Sequence, residues 1–269
     1  MASPAARIPY QSCPLCEATA AVEVLVADCS GHPMYKPQLP PTLRWIQCKS
    51  CGHVFVDGHF GPDALAVLFS GTLEEQTPGH DIENQRYVWA RVLETVATQR
   101  SAIGGRWLDV GFGNGSLLTT AAEFGYEVVG LDLRRDNVRL MRELGFEAHA
   151  VELEAFRPER GFDVISMADV LEHMPFPKRS LRQAWNLLHT DGHLFLSMPN
   201  ADSFLWQKLT RDGENPYWGE IEHYHNFGRA RLCALLEECG FLPVHYGVSL
   251  RYRACMEVIA RKIERPAVS

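Results

Sequence analysis

The 269-residue sequence has no unbroken apolar run near the ~18 residues that a membrane-spanning helix needs. Its first ten residues, MASPAARIPY, carry one Arg with no apolar stretch behind it, so neither a secretion signal nor an anchor can be read there. The expectation is a cytoplasmic protein with no membrane partner. Positive charge is also scarce. Lys and Arg number 26 against 33 Asp and Glu, a formal net charge of −7, and no Lys/Arg-rich stripe offsets it. Such a chain offers a polyanion no attractive field, which argues against long nucleic acid as a partner. Internal repeats and low-complexity tracts are missing, which excludes solenoids and long linkers. What remains, 46% apolar and 22% charged residues, suits an ordinary globular protein.

Cysteine is not scarce, and its spacing is informative. Cys13 and Cys16 form one CxxC turn, Cys48 and Cys51 another. Each such turn aims two thiolates at one metal, and two turns supply the four sulfurs of a tetrahedral zinc site. Four sulfurs leave no open coordination position, so this zinc is expected to be structural. A redox CxxC or an unmetallated state is the alternative. His32 and His53 stand near the turns and are read as incidental neighbours. Cys29, Cys233, Cys239 and Cys255 stand alone as buried reduced thiols, which fits a reducing compartment.

Three regions follow from the patterning. Residues 1–60 hold the CxxC turns, Pro33, Pro37, Pro40 and Pro41, and short β-like runs, and read as a loop-rich, zinc-ribbon-like module with little core of its own. Residues 61–103 turn helical, with Tyr87, Val88, Arg91, Val92, Thr95 and Val96 recurring at helical spacing. They are expected to link the two ends and cap one edge of a ligand site. Residues 104–269 alternate strand and helix, with strands apolar on both faces, which predicts an α/β fold built on a mainly parallel sheet. The last runs, FLPVHYGVSL and RACMEVIARKI, are close enough to form an antiparallel strand pair.

The sharpest motif is Asp109-Val110-Gly111-Phe112-Gly113-Asn114-Gly115, between the strand RWLDV and a helix starting near Ser116. Glycines let backbone approach a ligand, and a helix N-terminus offers free N–H groups to a carboxylate. The loop reads GxGxG after an acid rather than the GxGxxG of nicotinamide dinucleotide folds. The next strand ends in Asp132, 17 residues after Gly115, where an acid can accept two hydrogen bonds from ribose hydroxyls.

With LDVGFGNG, VVGLDL, FDVISMADVLEHM and DGHLFLSMPN in that order, residues 104–200 resemble the Rossmann-like class I S-adenosylmethionine methyltransferases. The branch they resemble contains the ubiquinone-pathway O-methyltransferases and many sugar and natural-product methyltransferases. The resemblance implies that Gly111, Gly113 and Gly115 line the methionine and ribose, with Phe112 in the same loop. Asp109 would orient the amino group indirectly and Asp132 would hold the ribose diol. Leu133 would lie against adenine, Glu152 near its amino group, and Met167 would close over the methionyl part.

Residues 200–228 interrupt the alternation with Phe204, Trp206, Tyr217, Trp218, Tyr224 and Phe227 among Glu220, Glu222, His223 and His225. Aromatic walls with a few ionisable groups suit a small-molecule pocket, and the stretch follows a strand's carboxyl end, where open α/β sheets bind substrates. An ordinary loop pinned by buried aromatics is the alternative. Glu222-His223 before Phe227 also resembles the Glu-His pair of zinc-containing sugar C-methyltransferases, which begin with paired CxxC turns. The resemblances together imply methyl transfer to a small acceptor, chiefly O-methylation of a sugar or related hydroxylated metabolite. A sugar C-methyltransferase, a phenolic O-methyltransferase, an RNA methyltransferase and a non-catalytic scaffold are the alternatives. His223, titrating near its ordinary ~6.5, is the expected base, with Glu222 or Glu220 orienting its ring. His173, beside Glu172, is the second choice. His193 and His245 fall inside strands and read as core or edge residues.

Overall fold

Strand-forming and helix-forming runs build three sheets among the described residues: one of seven strands, one of four and a two-stranded pair near the N-terminus. The computed structural model describes residues 7–252 and 254–264; residues 1–6, on which the reading of the N-terminus partly rests, lie outside them. The strands β1 (Ile8–Pro9), β2 (Ala21–Asp28), β3 (Thr42–Cys48), β4 (Val54–Val56) and β5 (Gly58–His59) come first, followed by α1 (Pro62–Leu68) and α2 (Ile82–Arg100). Next are β6 (Gly105–Val110), α3 (Ser116–Glu123), β7 (Tyr126–Leu131), α4 (Arg135–Glu143), β8 (Glu147–His149) and β9 (Phe162–Ala168). Then come α5 (Pro177–Leu187), β10 (Leu188–Pro199), α6 (Phe204–Asp212), β11 (His225–Asn226), α7 (Arg229–Glu238), β12 (Phe241–Val248) and β13 (Cys255–Lys262).

The largest sheet runs β12-β13-β10-β9-β6-β7-β8. Strands β8, β7, β6, β9 and β10 are parallel, and β13 lies antiparallel between β10 and β12. The Rossmann-like mainly parallel sheet and the closing antiparallel pair are both present. Trp107, Leu108, Val164, Ile165, Leu194, Phe195 and Leu196 are all buried, because helices cover both faces and neither face of these strands meets water. On one face α2 lays Trp89, Val92, Leu93 and Val96 against Trp107, Val164 and Phe195. This stripe differs in phase from the expected one, and Tyr87 is 64% exposed. Trp89 and Leu93, the bulkiest apolar groups on the helix, set the phase. On the other face Leu181, Ala184, Leu232, Leu235 and Leu236 pack with Leu108 and Ile165. Among the described residues no helix is long and apolar enough to cross a membrane.

The four-stranded sheet runs β11-β4-β3-β2. Its outermost strand, β11, comes from the 200–228 insertion: His225 pairs with Phe55 and Asn226 with Val54. The sheet's inner face gathers Leu39, Leu43, Trp45, Val56 and Phe60, with Ala64 and Leu68 of α1 and Ile221 and Tyr224 of the insertion. The expected 1–60 module therefore shares a sheet and a core with the insertion. The insertion's aromatics were expected to form pocket walls; Trp206 and Trp218 line a surface cavity, and several of the rings also pack against the module. Trp206 packs on Tyr217 and Trp218, Trp218 meets Trp45 edge-on, and the Trp45 indole N–H donates to the Trp218 carbonyl at 2.9 Å. Trp206, Tyr224 and Phe227 are buried, whereas Phe204 is 79% exposed. Large apolar rings are most stabilising where water is excluded, and here that is the junction with the module.

Gly130, one residue from the end of β7, shows how tightly α3 and the loop before it sit on the sheet. A Cβ there would come within 2.7 Å of the Phe112 ring and 3.2 Å of Leu118. Gly130→Ala is therefore expected to destabilise folding by about 1–3 kcal/mol through overpacking. Urea unfolding measures this, and unchanged stability would reject the close approach.

Candidate active site

From β6 the chain steps outward to β7 and β8, then returns to place β9 on the other side of β6. The strand order reverses between β6 and β9, and open α/β sheets bind ligands at the carboxyl ends of such a pair. The loop 111–115 leaves β6 at that point. Gly113 has φ +53, and a Cβ there would meet only the Gly111 carbonyl, at 3.9 Å. The backbone conformation disfavours a side chain, and the space it would fill stays open to a ligand. Gly111 and Gly115 are also left-handed, but added Cβ atoms would strike Val170 at 2.6 Å and Met141 at 2.8 Å, so packing dictates glycine there. Residues 76–80 brace the loop from outside. Asn114 donates to the His80 carbonyl at 3.1 Å, and Asn137 to the Gln76 and Gly113 carbonyls at 2.8 and 3.1 Å.

Two buried carboxylates flank the loop. Asp132 accepts from the Gly113 N–H at 3.0 Å and from the Arg134 N–H at 2.8 Å, one on each oxygen. Each oxygen keeps a lone pair, so Asp132 can accept two further donors. Asp109 accepts from the Ser166 hydroxyl at 2.6 Å, and that hydroxyl accepts from the Trp107 indole at 2.8 Å. Burial pushes the Asp109 carboxyl up to about 7 against the opposing pull of Ser166. Leu133 is 44% exposed beside Asp132, and Glu152 is exposed beyond β8. Phe112 and Met167 differ from expectation. Both side chains are in the core, at 5% and 0% exposure, so Phe112 meets the site through its backbone alone and Met167 has no free face to close over a ligand.

The acceptor-side residues gather around a single 3₁₀ turn, Leu171–His173. The Tyr224 N–H donates to the Glu172 carbonyl at 2.9 Å, which fixes the insertion against this turn. His223 meets His173 edge-on with ring centroids 4.7 Å apart, and ligand-capable atoms of Glu172, His173 and His223 lie within 4.8 Å of one another. Both Glu172 oxygens and His223 Nδ1 are buried without a hydrogen-bond partner. Burial pushes the Glu172 carboxyl well above its usual range, and Asp169 and Glu222 add to the effect. Burial also drives His223 well below its ordinary value, with His173, His32 and His225 adding to it. The expectation of an ordinary titration near 6.5 is corrected by this loss of solvation. So is the expectation of an orienting carboxylate. Glu222 faces Arg134 at 3.6 Å and Glu220 pairs with His32 at 2.8 Å.

In the N-terminal module, four sulfurs converge. Ligand atoms of Cys13, Cys16, Cys48 and Cys51 lie within 4.8 Å of one another, with Cys13–Cys51 at 3.7 Å and Cys16–Cys48 at 3.5 Å. No histidine belongs to this group. His53 instead meets His225 ring to ring, Nε2 to Nδ1 at 3.0 Å, and His225 Nε2 lies 3.0 Å from the Met174 carbonyl. A carbonyl only accepts, and burial holds His225 neutral by lowering it to about 3. Nε2 of His225 therefore carries its proton, and His53 donates to Nδ1. This line ties the cysteine turns to the residue that follows the Glu172–His173 turn.

A family model described as a methyltransferase domain matches residues 82–246. The chain belongs to this methyltransferase family. Among its curated relatives, the ubiquinone biosynthesis O-methyltransferase of Xanthomonas euvesicatoria pv. vesicatoria is 34% identical over 116 residues, 40% of this chain and 48% of the relative. That of Bordetella avium is 31% identical over 153 residues, 53% of this chain and 61% of the relative. The chain thus spans about half the length of the curated relatives it matches. Among solved structures, a 1,6-didemethyltoxoflavin-N1-methyltransferase of Burkholderia thailandensis, bound to 1,6-didemethyltoxoflavin and S-adenosylhomocysteine, aligns with TM-score 0.57 at 20% identity. It covers 81% of this chain and 99% of that one. A magnesium protoporphyrin IX methyltransferase of Synechocystis with bound S-adenosylhomocysteine aligns with TM-score 0.55 at 18% identity, over 68% and 85% of the two chains. Likeness at these identities is a likeness of fold.

The candidate site also contains residues that the sequence reading did not single out. Arg134 stands two positions after Asp132, and its place in that motif was a usable signal. Asp169 follows β9 at φ +55 and pairs with Arg251, 82 positions further along the chain, at 3.0 Å; no local pattern joins them. Asp109 permits a pH test within this candidate site. Its carboxyl stands above the ordinary 3.8, so the fold favours the protonated form. That contribution is complete below about pH 4 and is lost as pH rises toward 7. Asp109→Asn keeps the acceptor for Ser166 and removes the titration. The stability of the unsubstituted protein relative to Asp109→Asn should therefore fall by ~1.4 kcal/mol per unit between about pH 5 and 7. Parallel urea titrations measure this, and a flat difference would place Asp109 at an ordinary value.

Proposed function

We propose that the chain transfers the methyl group of S-adenosylmethionine to a hydroxyl oxygen of a small molecule, a sugar or related hydroxylated metabolite. The observation that carries this reading is the pairing of an open glycine loop and Asp132 with the Glu172–His173–His223 cluster at the same end of the sheet. The cofactor-side residues fit the donor: space above Gly113, free lone pairs on Asp132, and the buried Asp109 near a cationic amino group. The curated relatives described above are O-methyltransferases, which supports oxygen as the accepting atom. Bound there, S-adenosylmethionine supplies an electrophilic methyl group on sulfur.

The rest of the reaction is assigned to this chain's own side chains. The glycine loop and Asp132 hold the donor in line, and positioning of this kind accounts for much of such a barrier reduction. His223, kept neutral by burial, takes the acceptor's proton as the oxygen–carbon bond forms in place of the sulfur–carbon bond. The imidazolium so formed lies beside Glu172. His173, on the same turn, narrows the approach to His223. His223→Ala should lower turnover by roughly 10²–10⁴-fold with little change in affinity for S-adenosylhomocysteine. Near-normal turnover on the true acceptor would reject His223 as the base and leave His173 or positioning alone.

The four cysteines are proposed to hold one structural zinc ion. Zinc bound by four tetrahedral sulfurs at ~2.3 Å sets them ~3.8 Å apart, and the sulfur pairs at 3.5 and 3.7 Å fit that edge. A closed four-sulfur shell supplies stability rather than chemistry. Elemental analysis in reducing buffer should find one zinc per chain, and Cys48→Ser should lower that ratio and loosen residues 7–60 first. A Cys48→Ser protein with its full metal content would overturn the assignment.

A further inference from the structure

Glu222 does not orient His223, and the structure suggests what it does instead. Its carboxylate lies 3.6 Å from Arg134 Nη2, and Nη1 of the same guanidinium lies 3.6 Å from Asp132 Oδ1. The three side chains are only 12%, 1% and 11% exposed for Arg134, Asp132 and Glu222. The guanidinium also sits 4.9 Å from the Phe69 ring, at the end of α1. One cation therefore joins three segments: the chain after α1, the end of β7, and the insertion.

We infer that Arg134 and Glu222 form a latch that couples the ribose-holding carboxylate to the acceptor-side insertion, which makes both of them positioning residues for the donor. This rests on the reading of Asp132 as the ribose acid. Asp132 must present its remaining lone pairs to two hydroxyls at once, which requires a fixed carboxylate plane. Two backbone N–H groups fix it through hydrogen bonds, while the guanidinium faces Oδ1 at 3.6 Å as an ion pair that leaves the free lone pairs available and is itself held from the far side by Glu222. A rigid planar fork with two opposed acids suits this role, whereas an ammonium point charge could satisfy one acid at a time. Coupling of this kind is reciprocal: if the insertion steadies the donor site, an occupied donor site steadies the insertion.

The test uses the full chain and S-adenosylhomocysteine as the probe. Calorimetry should show affinity about tenfold weaker in Glu222→Gln and in Arg134→Met, with the double variant no weaker than Arg134→Met alone. Amide exchange over residues 220–226 should slow when the probe binds the unsubstituted protein, and should not slow in either variant. If Arg134→Met does not fold, Arg134→Lys serves in its place, with the same loss of coupling expected. Unchanged affinity in Glu222→Gln, or additive losses in the double variant, would overturn the latch. A folded, unsubstituted chain that binds no S-adenosylhomocysteine would reject the donor site itself, and the latch with it.

Discussion

Asp132 is the point on which the site's construction turns. A carboxylate at 3% exposure is tolerable only where donors replace the water it has lost. Those donors come from the glycine loop and from the start of α4, and a guanidinium adds its charge at 3.6 Å. Each of these fixes a different part of the molecule. The loop N–H sets the conformation that gives Gly113 its open face, and the Arg134 N–H turns the chain into α4. The guanidinium brings the insertion within reach. The need to compensate one buried charge thus aligns elements that share no sequence proximity.

A second set of buried ionisable groups follows a different logic. Glu172 and His223 are removed from water without hydrogen-bond partners for their buried atoms, and each is pushed toward its uncharged form. Neutral groups held close together in a dry site can exchange a proton with a reacting hydroxyl without moving ions through water. Burial raises the Asp132 carboxyl as well, against the opposing pull of Arg134 and of the Gly113 N–H.

Local features were legible in the sequence to the extent that local chemistry determines them. The glycine loop, the acid ending β7, the CxxC turns and the terminal strand pair each depend on residues a few positions apart, and each was found where the pattern put it. Where the structure departed, a long-range contact decided the outcome. Glu222 lies 88 residues from Arg134, so nothing near it in the chain signals an ion pair. Tyr224 looks like a pocket wall until Phe60 is known to need cover. His223 looked ordinary because burial, which shifts its titration, is a property of the packed fold. The stripe on α2 was misjudged in phase because Val88 and Tyr87 match the helical period as well as Trp89 and Leu93 do, and only the sheet beneath distinguishes them.

The shared small sheet bears on how such proteins can be re-engineered or can diverge. Segments that follow a sheet's carboxyl edge are attractive units for exchanging acceptor preference between relatives. Here the 200–228 segment carries the strand that pairs with Val54 and Phe55, the carbonyl that receives the Trp45 indole, and the histidine that answers His53. Grafting it alone would expose an unpaired strand edge and leave a tryptophan without a lid. On the proposed reading, exchanging the loop means exchanging a block, with residues 42–60 and the CxxC turns travelling alongside the loop they support.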